Sequence, residues 1–148
     1  MKKTSPVIMI CNIVSIVLIL ALLAMQFLPF WPAPAGEEGF VSLAKSVWFT
    51  NPKSGIPVMM GHVAILFMGI VCLYFCIAKM KSPMTFIPLT VTSVWALKSY
   101  LTTPGASEGF LWIVHVIMTA LLLLPAAVLL VFWLIRVAEW FFKKEQKA

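Results

Sequence analysis

The stretch of sequence that decides the fold runs from residue 110 to residue 136 and reads FLWIVHVIMTALLLLPAAVLLVFWLIR. Before its final arginine it contains no Asp, Glu, Lys or Arg. At a rise of about 1.5 Å per residue, about 20 helical residues cross the ~30 Å hydrocarbon core of a bilayer. The backbone must satisfy its own hydrogen bonds there, so the stretch predicts a spanning helix.

Three further stretches share this apolar character, at residues 6–30, 56–78 and 84–102. Hydrophobic residues make up 62% of the 148-residue chain, and a water-soluble domain of this composition would have too few polar residues to cover its surface. The sequence therefore predicts an all-α membrane protein, with residues 1–148 forming one domain of four transmembrane helices. Short connections between the last three spans predict an antiparallel up-down-up-down bundle.

The basic residues predict the orientation of this bundle. The chain has a net charge of +6 and no aspartate, and its basic residues flank the spans, which is typical of contact with anionic lipid and not with nucleic acid. One side of the membrane would hold eight of them, namely Lys2, Lys3, Lys79, Lys81, Arg136, Lys143, Lys144 and Lys147. The positive-inside rule then places both termini in the cytoplasm, and the compact loops suit a bacterial inner (plasma) membrane.

The first span has an alternative interpretation as a cleaved signal peptide. Lys2 and Lys3 precede it, and Ala33-Pro34-Ala35 imitates a cleavage site. Its apolar run is longer than the ~7–15 residues of a signal-peptide core, which favours a retained span.

The predicted outer loop, residues 31–55, contains apolar residues at helical spacing. Phe40, Leu43, Ala44, Val47 and Trp48 follow the i, i+3, i+4, i+7, i+8 pattern, which predicts a short amphipathic helix. That helix can lie flat on the outer surface or cover the mouth of the bundle. Interfacial positions are predicted for Trp31, Trp48 and Phe49, and for Trp140 in the cytoplasmic tail 137–148, where the fourth helix is expected to continue.

Small and polar residues within the spans predict helix contacts. Small residues let neighbouring backbones approach closely, and the predicted packing positions are Gly69, Cys72, Cys76, Thr92 and Ser99. Asn12, Ser15 and Gln26 on the first span are predicted to form interhelical hydrogen bonds. The i, i+4 spacing of Cys72 and Cys76 differs from the outer CxxC pair of a thiol-redox enzyme, which favours a packing role.

The candidate site is a layer of ionisable residues inside the membrane. His62 and His115, the chain's two histidines, lie on the second and fourth spans, and Lys98 lies on the third. The helical rise places all three roughly 6–9 Å below the outer boundary. Ionisable residues inside a membrane usually face the bundle interior, so the sequence predicts that these side chains meet there.

Four interpretations of this layer stay open. The imidazoles can hydrogen-bond across helices, with Thr119 one turn from His115, while Lys98 extends to the outer headgroups. His62 and His115 can instead be axial ligands of a b-type haem, with Lys98 near the propionates. The same histidines with an outer glutamate can form a metal site, or the layer can couple to protons or ions.

The sequence carries no catalytic signature. It has no phosphate-binding glycine loop, HExxH, GxSxG or kinase motif, which predicts a non-catalytic accessory or scaffold subunit of a membrane complex. Its expected partners are the lipid bilayer and either another membrane protein or copies of itself, with no nucleic acid. The alternatives are a haem-containing electron-transfer subunit and a small transporter or channel subunit.

Overall fold

The computed structural model describes residues 5–32, 39–42, 56–102 and 110–146. In these ranges the chain is mainly helical, as predicted. The elements in chain order are α1 (Pro6–Met25), β1 (Pro29–Pro32), β2 (Phe40–Ser42), α2 (Ile56–Ala78), a 3₁₀ helix (Pro83–Thr85), α3 (Phe86–Thr102) and α4 (Phe110–Glu145). Among the described residues, α1 and α4 are long and apolar enough to cross a membrane.

The first helix is shorter than the predicted span 6–30. It begins with Pro6 directly after the N-cap Ser5 and ends at Met25. Residues 26–28 form a turn with i→i−3 hydrogen bonds, and the chain is extended from Pro29. Pro29 disfavours the helical region for Leu28, so the helix cannot continue through this position. Hydropathy cannot detect this end, since the residues that follow the helix are, apart from Gln26, also apolar.

A two-stranded antiparallel hairpin follows α1. Pro29 lies opposite Ser42 and Pro32 lies opposite Phe40. Gly39, with a φ of 95°, precedes β2 in a conformation that only glycine adopts at little cost. The sequence predicted an amphipathic helix from Phe40, and its first residues instead form this strand, because they pair with the extended segment that begins at Pro29. Residues 43–50, which would complete the predicted helix, lie outside the described residues.

The connection between α2 and α3 is a tight turn. Helix α2 has the predicted bounds, and the Ser82 Oγ accepts a hydrogen bond from the Met84 N–H at 3.3 Å. With Pro83 at its first position, the 3₁₀ helix leads into α3, so α3 begins at Phe86 and not at residue 84. The short turn places α2 and α3 side by side.

The last helix continues beyond the predicted span 110–136, into the predicted tail. It runs through the buried Pro125 and past Arg136 to Glu145. Its continuation past Arg136 agrees with the sequence-based expectation.

The described helices pack in a closed ring. Helix α1 lies against α2 and α4, and α3 lies against the same two helices. The main core cluster contains Ile8, Ile19, Leu22, Cys72, Cys76, Leu89, Leu122, Ala126 and Leu129. A smaller cluster contains Ile65, Ala96 and Tyr100. At the α1–α2 contact, a Cβ added to Gly69 would lie 2.8 Å from the Leu23 Cδ2, so glycine allows the two helices to approach closely.

Candidate functional site

His115 is fully buried and contacts the backbone of two helices. Its Nδ1 lies 2.6 Å from the carbonyl oxygen of Leu111, one turn earlier on α4. Its Nε2 lies 3.3 Å from the carbonyl oxygen of Met25, at the end of α1. A neutral imidazole has one N–H and donates to one of these oxygens, whereas an imidazolium donates to both. The ring therefore links α4 to the end of α1.

Tyr100 of α3 packs edge-on against this imidazole. The ring centroids lie 5.7 Å apart with the planes at 76°. The Tyr100 hydroxyl accepts a hydrogen bond from the Gln26 Nε2 at 3.1 Å and also interacts with the Thr119 side chain. The Thr119 hydroxyl in turn donates to the His115 carbonyl oxygen at 2.7 Å. We call Gln26, Tyr100, His115 and Thr119 the His115 network.

Gln26 brings an unsatisfied acceptor to this network. Its Nε2 donates to the Leu22 carbonyl oxygen at 3.0 Å as well as to Tyr100. Its Oε1 is buried and has no hydrogen-bond partner. Within the described ranges, the Ser93 hydroxyl is the other buried side-chain atom without a partner. The Gln26 amide is therefore held in place by its donor side alone. Leaving a buried acceptor unsatisfied costs about 1–3 kcal/mol.

A second network holds the opposite end of the bundle. Asn12 Nδ2 donates to the carbonyl oxygens of Met80 at 3.0 Å and Ser82 at 3.3 Å, in the turn between α2 and α3. The Thr85 hydroxyl donates to the Asn12 Oδ1 at 2.7 Å. We call Asn12, Thr85 and these two carbonyl groups the Asn12 network. It fixes the α2–α3 turn on α1.

The predicted hydrogen-bonding residues of α1 divide into two kinds. Asn12 and Gln26 contact other helices, as the sequence predicted. Ser15 does not, since its hydroxyl donates to the Cys11 carbonyl oxygen of its own helix at 2.7 Å.

The small residues of α2 and α3 that were predicted to form helix contacts lie in or beside the interior. Cys72 and Cys76 are fully buried and are free thiols. Thr92 is buried, and its hydroxyl donates to the Met68 carbonyl oxygen of α2 at 3.4 Å. Ser99 is half-buried.

The residues of the predicted ionisable layer have different positions. His62 lies on α2, and its side chain is outside what the structure describes. Lys98 is exposed, with its Nζ 5.8 Å from the centroid of the Trp95 ring. The structure therefore does not bring Lys98 to the buried His115. The haem interpretation, which needs His62, stays a prediction.

The contacts of His115 bear on what its ring can bind. Both nitrogens lie within hydrogen-bonding distance of a carbonyl oxygen, so binding of a haem iron requires one nitrogen to leave its carbonyl. Among the described residues, no group of three or more His, Cys, Asp or Glu side chains is placed to hold a metal ion. The outer glutamates considered as a third ligand, Glu37, Glu38 and Glu108, lie outside those residues.

Tyr100 was not predicted to be a site residue. It is one of two tyrosines in the chain and sits near the end of an apolar run. A tyrosine inside such a run generally seeks a partner for its hydroxyl when buried, which is the signal that could have identified it.

Comparison of the chain with protein-family models, with characterised proteins and with solved structures found no match.

Proposed function

We propose that this chain is an integral membrane protein whose four helices all cross a bacterial inner membrane, with both termini in the cytoplasm. We further propose that it is a non-catalytic accessory or scaffold subunit. In this role its outward helix faces pack against a membrane-protein partner or against a second copy of the chain.

The observation that carries this proposal is the apolar outer surface of every described helix. On α2, the exposed fractions of Phe67, Ile70 and Tyr74 are 67%, 59% and 66%. On α3, Val91 and Val94 are 52% and 54% exposed. Large apolar side chains facing outward on all sides are unfavourable in water and favourable against lipid or another apolar helix. The same surface extends to α2 and α3, which supports four spans.

The lengths of α2 and α3 also support spanning. Helix α2 has 23 residues, more than the ~20 needed to cross the hydrocarbon core. Helix α3 has 17 residues and is preceded by the 3-residue 3₁₀ helix. At about 1.5 Å per residue, and slightly more in the 3₁₀ turn, these two elements together reach about 30 Å.

The interior supports a structural role. Apart from the Ser93 hydroxyl, the described buried polar side chains form hydrogen bonds within or between helices, most of them in the His115 and Asn12 networks. The buried polar side chains are Asn12, Ser15, Gln26, Thr85, Thr92, Ser93, His115 and Thr119, and each is uncharged when the imidazole is neutral. Interhelical hydrogen bonds of this kind hold a bundle in one packed arrangement.

The spanning part of the proposal is tested in native membranes. We expect the full-length protein to resist extraction by alkaline carbonate. A reporter that is active only in the cytoplasm should be active when it is fused at the C-terminus. Release by carbonate, or an external C-terminus, would contradict the proposed insertion or orientation.

The scaffold part is tested by site-specific photo-crosslinking in the same membranes. Ile70 is exposed on α2 and Ile65 is buried on the same helix, so a crosslinker at Ile70 should give a defined adduct and one at Ile65 should not. Equivalent positions on the other helices are Val17, Val91 and Ile117, which are all exposed. A protein that is strictly monomeric in mild detergent and forms no adduct from any outward position would count against a scaffold role.

A further inference from the structure

A groove lies between the α2–α3 turn and the C-terminal half of α4. Its volume is about 420 Å³, and it opens to the outside of the bundle. Its lining residues include Ser82, Met84, Trp133, Arg136, Trp140 and Phe141. No member of the His115 network lines the groove. One wall of the groove is polar and the other is aromatic and apolar.

The polar wall offers hydrogen-bond donors. The Arg136 guanidinium is a permanent cation whose planar donors match two oxygens of a phosphate. The Ser82 Oγ accepts from the Met84 N–H at 3.3 Å, so its own O–H remains a donor. Because these groups are donors, the polar wall favours an anion.

The other wall is aromatic and apolar. Trp133 is half-buried, and the Phe86 ring lies 5.5 Å from it, centroid to centroid. Trp140, Phe141 and Met84 are 59%, 56% and 54% exposed. Trp side chains favour the headgroup level of a membrane, where one end of the ring is apolar and the other is hydrated. This wall is therefore suited to glycerol and acyl groups next to a phosphate.

Positive charge surrounds the groove. Described residues 79–82 and 136–146 contain five basic side chains and two acidic ones, Lys79, Lys81, Arg136, Lys143 and Lys144 against Glu139 and Glu145. The Lys144 Nζ lies 5.4 Å from the centroid of the Trp140 ring. This excess of positive charge complements an anionic headgroup.

We propose that this groove binds one anionic glycerophospholipid, with the headgroup phosphate on Arg136 and Ser82 and an acyl chain along Met84 and Phe141. The inference rests on the membrane insertion described under the proposed function. It does not depend on the scaffold role, because a lipid can occupy the groove of a monomer.

The test compares two lipids of identical acyl chains, phosphatidylglycerol and phosphatidylcholine, on the full-length protein in mild detergent. Native mass spectrometry counts the bound lipids and gives their affinities. We expect phosphatidylglycerol to bind at least tenfold more tightly than phosphatidylcholine. Arg136→Gln should remove most of this preference. Lys81 belongs to the surrounding charge but does not line the groove, so Lys81→Gln should reduce the preference far less than Arg136→Gln does.

Two further arms separate the alternatives. Arg136→Lys keeps the charge and loses the paired donors, so its preference for phosphatidylglycerol should lie between those of the wild type and Arg136→Gln. This variant replaces Arg136→Gln in the test if Arg136→Gln does not fold. Inorganic phosphate should not displace the lipid at millimolar concentration, because it lacks the acyl chain.

Equal affinity of the wild type for both lipids would overturn the proposal. Arg136→Gln and Lys81→Gln losing the same share of the preference for phosphatidylglycerol would also overturn it, because the attraction would then be unspecific. If Arg136→Gln does not fold, the same comparison is made between Arg136→Lys and Lys81→Gln. A protein released by carbonate would instead overturn membrane insertion itself.

Discussion

The Thr85 hydroxyl donates a hydrogen bond to the Asn12 Oδ1 at 2.7 Å, which connects the 3₁₀ helix before α3 to the first half of α1. The same Asn12 donates through its Nδ2 to two backbone carbonyls of the α2–α3 turn. One side chain thus satisfies polar groups from two other segments. Because Asn12 and Thr85 are both buried, these groups have no solvent to replace a lost partner.

Replacing Asn12 with leucine should destabilise the protein by about 1–3 kcal/mol, because the change leaves buried partners unsatisfied. The measurement is thermal unfolding in detergent micelles. Ser15→Ala is the matched control on the same helix, since the Ser15 hydroxyl donates to a carbonyl oxygen of its own helix, and it should cost much less. In the double variant Asn12→Leu with Thr85→Val, the loss should be smaller than the sum of the two single losses. Additive losses would mean that the contact carries no coupling energy.

The Gln26–Tyr100 contact should contribute a smaller amount. Tyr100→Phe removes the hydroxyl that accepts from the Gln26 Nε2, and hydrogen bonds between membrane helices contribute about 0.6 kcal/mol on average and up to about 1.7. Thr102→Val is the control on the same helix, because its exposed hydroxyl donates to the Lys98 carbonyl oxygen within α3. An equal effect of the two substitutions on the unfolding midpoint would contradict the role given to the network.

A larger residue at Gly69 should separate α1 from α2. A Cβ there would already lie 2.8 Å from the Leu23 Cδ2, so Gly69→Val should cost about 1–3 kcal/mol, as overpacking of a core generally does. Leu23→Ala should recover part of this loss in the double variant by removing the obstructing methyl groups. If Leu23→Ala adds to the damage, the clash lies elsewhere.

The absorption spectrum of the purified protein separates the haem interpretation from a structural role of His115. Since both ring nitrogens lie near carbonyl oxygens, we expect no Soret band in protein produced with adequate haem supply. His115→Ala should lower the unfolding midpoint without changing the visible spectrum. A Soret band that disappears in His115→Ala, and also in His62→Ala, would establish the alternative function instead.

Much of the fold could be predicted because apolar runs determine where helices lie along the chain. The end of α2 follows from the abrupt change from apolar residues to Lys79. The end of α1 could not be obtained in this way, since the segment after Met25 is, apart from Gln26, also apolar. There the backbone restriction that Pro29 imposes decides the structure, and the pairing of β1 with β2 depends on residues distant in sequence.

The candidate site was harder to predict because depth does not determine direction. The helical rise placed Lys98 at one level with His115, but rise along the axis does not indicate which face a side chain occupies. Lys98 and Tyr100 are two residues apart, about 200° around an α-helix. One is exposed and the other is buried against His115. The network therefore contains the tyrosine and not the lysine.

The Trp112 Nε1 donates to the Tyr100 carbonyl oxygen at 2.9 Å, across only 12 positions of sequence. This bond fastens the last two helices close to their own connection, so the pair can form as soon as it has been synthesised. Asn12, in contrast, meets its partners only after the ribosome has passed Thr85. In the proposed membrane protein, α1 therefore enters the bilayer with Asn12 able to donate only within its own helix, to the Ile8 carbonyl oxygen at 3.1 Å. The α2–α3 turn supplies the remaining partners when it arrives.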